Sequence, residues 1–191
     1  MAIKIKSKII QEIRKFVQVE CRKPTSKYGY GPYTDHFMPM VEYGKKLARE
    51  LKADVEIVEL AGWLHDIGSI VYGRVDHHMT GAKIAEEKLT KLGYPKEKIN
   101  KVKDCIYSHR GSQRIKPKTV EAQIIVEADT LSAFDCLWGL FECAYVYEKL
   151  SRKEAKKSVR QKLENKWEQL RFKKSKEMIK PKYKAAMLLL K

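Results

Sequence analysis

Apolar residues recur at a spacing of three or four almost everywhere along this chain, and strict alternation over five or more residues is nearly absent. That pattern leaves little that could form a half-buried strand, so the chain is predicted to be all-α. A 43% hydrophobic fraction, with only ten Gly and six Pro in 191 residues, excludes collagen-like, low-complexity and wholly disordered chains. The length supports one domain with a sizeable core, so 1–191 is expected to form a single domain.

The stripes predict where the helices lie. Ile5, Ile9, Ile13, Phe16 and Val17 mark a first helix ending before Pro24. A loop follows with Gly29, Gly31, Tyr28, Tyr30 and Tyr33, its tyrosines read as packing residues ahead of base-stacking ones. Thr34 or Asp35 should cap a second helix, and Asp54 a third that runs to Ile67 and stops at Gly68. A fourth begins near Asp76 and carries His78, Ala82, Ala85, Leu89 and Leu92 on one face. Pro95 opens a fifth with Ile99, Val102, Ile106 and His109. Thr119 caps a sixth, expected to run with a bend through Tyr147, and Val159, Leu163, Trp167 and Leu170 mark the last long helix. Met178 to Leu190 reads as a docking terminal helix.

The net charge of +16 is unevenly placed. Residues 1–27 hold eight Lys/Arg against two Glu, and residues 152–184 hold fourteen against four, around a near-neutral body. Such ends are expected to be solvated helix faces, with weak, non-specific and salt-sensitive attraction for nucleic acid as the functional alternative. No run approaches the ~18 apolar residues a bilayer needs, so no membrane association is expected. The four cysteines, Cys21, Cys105, Cys136 and Cys143, are scattered without CxxC spacing, which fits a reducing cytoplasm. The sequence does not specify an oligomeric state.

Polar residues on apolar stripes carry the chemistry. His78, His109 and Asp129 interrupt otherwise apolar faces, and His65-Asp66 ends a helix that is apolar on most sides. Burying an imidazole or carboxylate without a partner costs several kcal/mol. Adjacent helical residues point ~100° apart, so His65 and Asp66 can share an ion only beside a helix end, with His36 a candidate to complete its sphere. This mixed N/O set suits Fe or Mn first, with Zn, Co and Ni possible, and contains no thiolate.

The order His36, His65-Asp66, Asp129, with Ile67-Gly68 after the pair and Glu127-Ala128 before the last Asp, resembles the signature of the HD superfamily of metal-dependent phosphohydrolases over residues 33–150. The resemblance implies a helical bundle around an interior site, flanked by basic extensions at 1–27 and 152–191. It implies that His36, His65, Asp66 and Asp129 hold one divalent transition-metal ion, and that Asp66 bridges to a second held by His78 and His109. It further implies that a water between the ions is acidified into the nucleophile that cleaves a phosphate ester or anhydride of a small phosphorylated molecule, most plausibly a nucleotide. Asp66 and Arg110 are the expected catalytic residues, Arg110 orienting a substrate phosphate. Glu127 is expected to orient a histidine or pair with a cation, and Arg74 and His77 to be loop or cap residues. Two features depart from the cyclic-dinucleotide phosphodiesterase branch: Ser69 replaces the Lys after Ile-Gly, and Gly93-Tyr94-Pro95 lacks that branch's His-His-Glu context. The competing reading is a nucleic-acid-binding or regulatory module with a structural metal.

Overall fold

The computed structural model describes residues 2–110 and 115–191, with side chains from residue 8 onward. Ile5 of the first predicted stripe therefore lies outside the described side chains. Among the described residues there is no strand, and the chain is a helical bundle as the periodicity requires. α1 spans Ala2–Arg22 and α2 Met38–Glu50, with a π-helical turn at Tyr33–Phe37 leading into α2. α3 spans Val55–Leu64, α4 Ile67–Tyr72, α5 His77–Lys91 and α6 Lys96–Ser108. α7 spans Val120–Ser132, α8 Leu137–Glu142, α9 Arg152–Gln169 and α10 Lys173–Leu189, with a second π-helical turn at Cys143–Tyr147. No helix among them is long and apolar enough to cross a membrane.

α3 is apolar nearly all round and lies at the centre, where Ile57, Leu60, Ala61 and Leu64 are fully buried. α1, α2, α5, α6 and α7 pack around or beside it, and one buried cluster runs from Ile9 of α1 to Leu190 beyond α10. The Asp54 carboxylate accepts from the Glu56 and Ile57 amides, and the Thr119 hydroxyl from that of Ala122, so both predicted caps hold. Tyr33 packs between Tyr30 and Trp63 with centroids 5.4 and 5.7 Å away, which makes this aromatic loop a wall of the core.

Three boundaries differ from expectation. Thr34 and Asp35 do not cap α2, because both lie inside the π-helical turn, which swings His36 inward ahead of α2. The helix predicted to run from residue 119 through Tyr147 is interrupted after Ser132 and resumes as α8. Gly68 does not stop a helix. It sits inside α4, and α3 has already ended at Leu64.

Gly68 is there for closeness of approach. A Cβ at this position would meet the His77 carbonyl oxygen at 2.3 Å and the Gly81 amide at 2.7 Å, so α4 and α5 touch backbone to backbone. Both atoms are main chain and cannot rotate away. Gly68→Ala is therefore expected to force α4 and α5 apart and lower stability by about 1–3 kcal/mol, the range for overpacking, as read by chemical denaturation. Because the first atom met belongs to His77, metal retention should fall as well.

Candidate metal centre

α3 breaks after Leu64, and Asp66 takes a non-helical conformation (φ −108°, ψ 11°) as the residue before α4. The break removes the ~100° divergence of neighbouring helical side chains, so His65 and Asp66 face one pocket. His36 arrives from the π-helical turn, His77 from the start of α5, His109 from the end of α6 and Asp129 from α7. Insertions of π geometry recur at functional positions, and here one aims a candidate ligand.

The imidazoles are oriented by their outer nitrogens. His65 Nδ1 lies 2.8 Å from the Gly62 carbonyl oxygen, His77 Nδ1 lies 2.9 Å from that of Arg74, and His109 Nδ1 lies against that of Ile106. Each acceptor is three residues back, on a carbonyl near a helix end or in the preceding turn. A carbonyl only accepts, so each Nδ1 carries the proton of the neutral ring and each Nε2 keeps a lone pair. His36 follows the same logic through Ser132, whose hydroxyl donates to the Asp129 carbonyl oxygen at 2.9 Å and accepts from His36 Nδ1 at 3.0 Å.

Those four Nε2 atoms converge in pairs, His36 on His65 at 3.0 Å and His77 on His109 at 3.2 Å. Two neutral lone pairs at that separation repel, so each pair calls for a cation or a proton between its members. Asp66 lies between the pairs. Its Oδ2 is 3.7 Å from both His36 Nε2 and His65 Nε2, while its Oδ1 is 3.3 Å from His77 Nε2 and 3.5 Å from His109 Nε2. One carboxylate oxygen thus serves each pair, the arrangement of a bridging ligand, and two trios (His36, His65, Asp66 and Asp66, His77, His109) have ligand atoms close enough to share an ion. Asp129 extends the first trio with Oδ1 3.6 Å from His36 Nε2, while Oδ2 lies 3.4 Å from Lys166 Nζ. The donor set, imidazole lone pairs plus two carboxylates, fits divalent transition metals.

His78, expected among the ligands, points elsewhere. Its ring lies 5.2 Å from that of Tyr107, and its Nδ1 accepts from Arg110 Nη1 at 3.3 Å. His77, expected to be a loop or cap residue, is buried like His78, and it is His77 whose Nε2 reaches Asp66. Arg110 also approaches Asp76 Oδ1 at 3.5 Å and stands beside the second trio. Glu127 neither orients a histidine nor pairs with a cation among the described contacts. It is fully buried and accepts from the Arg171 and Phe172 amides at 2.7 and 3.4 Å, anchoring the start of α10. Ser132 and Lys166 went unnoticed in the sequence: a lone Ser and one Lys in a Lys-rich segment carry no local signal.

The electrostatics divide the two halves. Burial lowers the His65 imidazole to about 4 despite Asp66, so it stays neutral and ready to ligate. Partial burial opposes ionisation of Asp66, but His65 and His109 outweigh it and hold the carboxyl well below its usual range. Burial likewise opposes ionisation of Asp129, yet Lys166 and His36 hold it at about 2. At His109 burial lowers the pKa, but contact with Asp66 more than offsets this and raises it.

A pH dependence follows. A raised His109 pKa means that, once the pH is below it, the metal-free protein holds a proton on the second trio which an ion must displace, so affinity there falls with pH in that range. His65 needs no such displacement above about pH 4. On lowering the pH from 8 to 5, the His77/His109 side is expected to release its ion first, measured as metal content after equilibration at limiting Mn. Loss in the reverse order would contradict the assignment.

A family model described as "HD domain" matches residues 33–133, just over half of the chain. Curated relatives include Ribonuclease Y of Desulforudis audaxviator, 36% identical over 89 residues, which are 46% of this chain and 15% of the relative. Ribonuclease Y of Opitutus terrae is 31% identical over 99 residues, 52% of this chain and 17% of the relative, so the match spans a fifth or less of the length of these curated relatives. Among solved structures, Bacillus subtilis YpgQ in complex with ADP superposes with a TM-score of 0.74 at 18% identity, covering 97% of this chain and 92% of that one. An HD-superfamily hydrolase from Bacillus thuringiensis superposes with a TM-score of 0.71 at 14% identity, covering 96% and 93%. These two likenesses establish a shared fold over nearly the whole chain, and the matched family model shows that the chain belongs to the HD-domain family.

Proposed function

We propose that the protein is a metal-dependent phosphohydrolase acting on a phosphorylated small molecule, with a nucleotide the favoured substrate and Mn or Fe the favoured metal. The observation that carries this reading is the convergence of four Nε2 lone pairs in two pairs on opposite oxygens of Asp66. Divalent ions held there would supply an acidified water and a positive field for the pentacoordinate phosphorus of the transition state. His36, His65 and Asp129 hold one half of the pocket, His77 and His109 the other, and Asp66 fixes the separation between them. Arg110 Nη1 donates to His78 Nδ1 and approaches Asp76 Oδ1, which holds beside the second trio a guanidinium of the planar, charged kind that orients phosphate oxygens. No nucleophilic side chain is required. The free state of all four cysteines suits the cytoplasm as the place of reaction. The test is phosphate release from a panel of nucleotides with Mn or Fe added. Turnover of none of them, by protein that holds metal, would overturn the reading.

A second reading has support of its own. The curated relatives are named Ribonuclease Y, and the C-terminal helices expose Lys153, Lys156, Lys157, Lys173 and Lys174, which favours a phosphodiester of RNA as substrate. Arg160 of the same basic segment donates to the Met187 and Leu190 carbonyls and ties α9 to the end of α10. The five exposed lysines are expected to support ~1 µM sequence-independent binding of RNA at low salt that weakens steeply as salt rises. Replacing all five by Gln should abolish it in a gel-shift titration while sparing turnover of a small nucleotide.

A further inference from the structure

Lys166 stands apart from the other basic residues of α9. Its ammonium reaches into the pocket, 3.4 Å from Asp129 Oδ2, and both side chains keep about a quarter of their surface exposed. Its backbone is held firmly: Val159 and Leu163 are fully buried, and the neighbouring Trp167 stacks on Tyr183 at 4.4 Å between centroids. Only the flexible four-carbon stem is free to swing. Lys166 also lies outside the family-matched region 33–133, so a helix beyond that match delivers a cation to the pocket.

The charge balance of the pocket makes this cation informative. Without metal, Lys166 neutralises Asp129. Two divalent ions bring more positive charge than Asp66 and Asp129 can offset, and the ion nearest His36 competes directly for the Asp129 carboxylate. An ammonium left beside those ions is repelled until an anion arrives. A substrate phosphate placed over the His36/His65/Asp129 side supplies that anion, and the partly exposed Lys166 head lies within a stem's swing of it. Arg110, next to His109 in the chain, contacts Asp76 and His78 and, among the described contacts, not a member of the other trio, so Lys166 is the cation that touches a candidate ligand directly.

We propose that Lys166 is a substrate-binding residue, exchanging its contact with Asp129 for a phosphate oxygen when the metal-loaded site takes its substrate. This rests on the phosphohydrolase reading above. The alternative is that Lys166 only positions Asp129 for metal.

The experiment compares wild type, Lys166→Gln and Lys166→Arg, each loaded with Mn, by metal analysis, by calorimetric titration with inorganic phosphate and by steady-state kinetics. Lys166→Gln is expected to keep its Mn content while its phosphate Kd and substrate KM rise at least about tenfold, the scale of one charge-assisted hydrogen bond. Lys166→Arg should recover most of the loss. Loss of Mn from Lys166→Gln would overturn the inference in favour of a positioning role, and an unchanged phosphate Kd would overturn it outright. Wild type that holds Mn but neither binds phosphate nor turns over any phosphorylated substrate would overturn the phosphohydrolase reading and this inference together.

Discussion

Asp66→Ala is expected to leave the protein folded, strip both ions and abolish turnover. Its two carboxylate oxygens face different histidine pairs, at 3.3 to 3.7 Å, so the substitution removes an anionic ligand from both half-sites at once. Asp129 alone then faces the His36/His65 pair and no carboxylate faces His77 and His109, so each half-site loses the anion it shares with the other. The expected loss in kcat is at least about 10³-fold, the upper end of what removing a single electrostatic stabiliser costs in a preorganised site. Metal analysis of protein purified without chelator reads the first effect and nucleotide hydrolysis the second. Asp66→Asn keeps the volume and should behave alike, because an amide oxygen carries no net charge to offset the ions. Either variant keeping its full metal content would end the bridging assignment.

Much of this arrangement was legible in the sequence, for reasons particular residues make plain. The caps at Asp54 and Thr119 and the stripes of α1, α5, α6 and α9 are local features, set by hydrogen bonds and burial within a few residues, and the structure keeps them. His65, Asp66, His109 and Asp129 stood out as costly groups on or at the end of apolar helices, and His36 as a candidate at a helix start to complete their sphere; the pocket brings the five together. Features set by contact between distant segments were hidden. Gly68 reads locally as a helix stop, but its reason is the α5 backbone, nine residues and more along the chain. Lys166 is one lysine among many on α9 until folding lays it against Asp129.

The exchange of His78 for His77 has the same origin, and it supplies the sharpest test. His78 aligns with Ala82, Ala85 and Leu89, the stripe that periodicity detects. His77 lies four residues before Gly81, on the side of α5 that meets α4 through two glycines, and glycine leaves no mark on a hydrophobic pattern. The Gly68/Gly81 contact draws the start of α5 to within 3.3 Å of Asp66 through His77, while His78 turns to Tyr107 and Arg110. His77→Ala is therefore expected to lose one ion of two and about 10²-fold in turnover, a loss in the range for removing one electrostatic contributor from such a site. His78→Ala should keep both ions. Its deficit should appear in KM, because the side chain it removes accepts from Arg110, and a phosphate-orienting guanidinium without that partner binds substrate less well. Parallel metal analysis and kinetics on the two variants decide the matter. An ion lost from His78→Ala and retained by His77→Ala would mean that the metal-bound protein draws its second trio from the other face of α5.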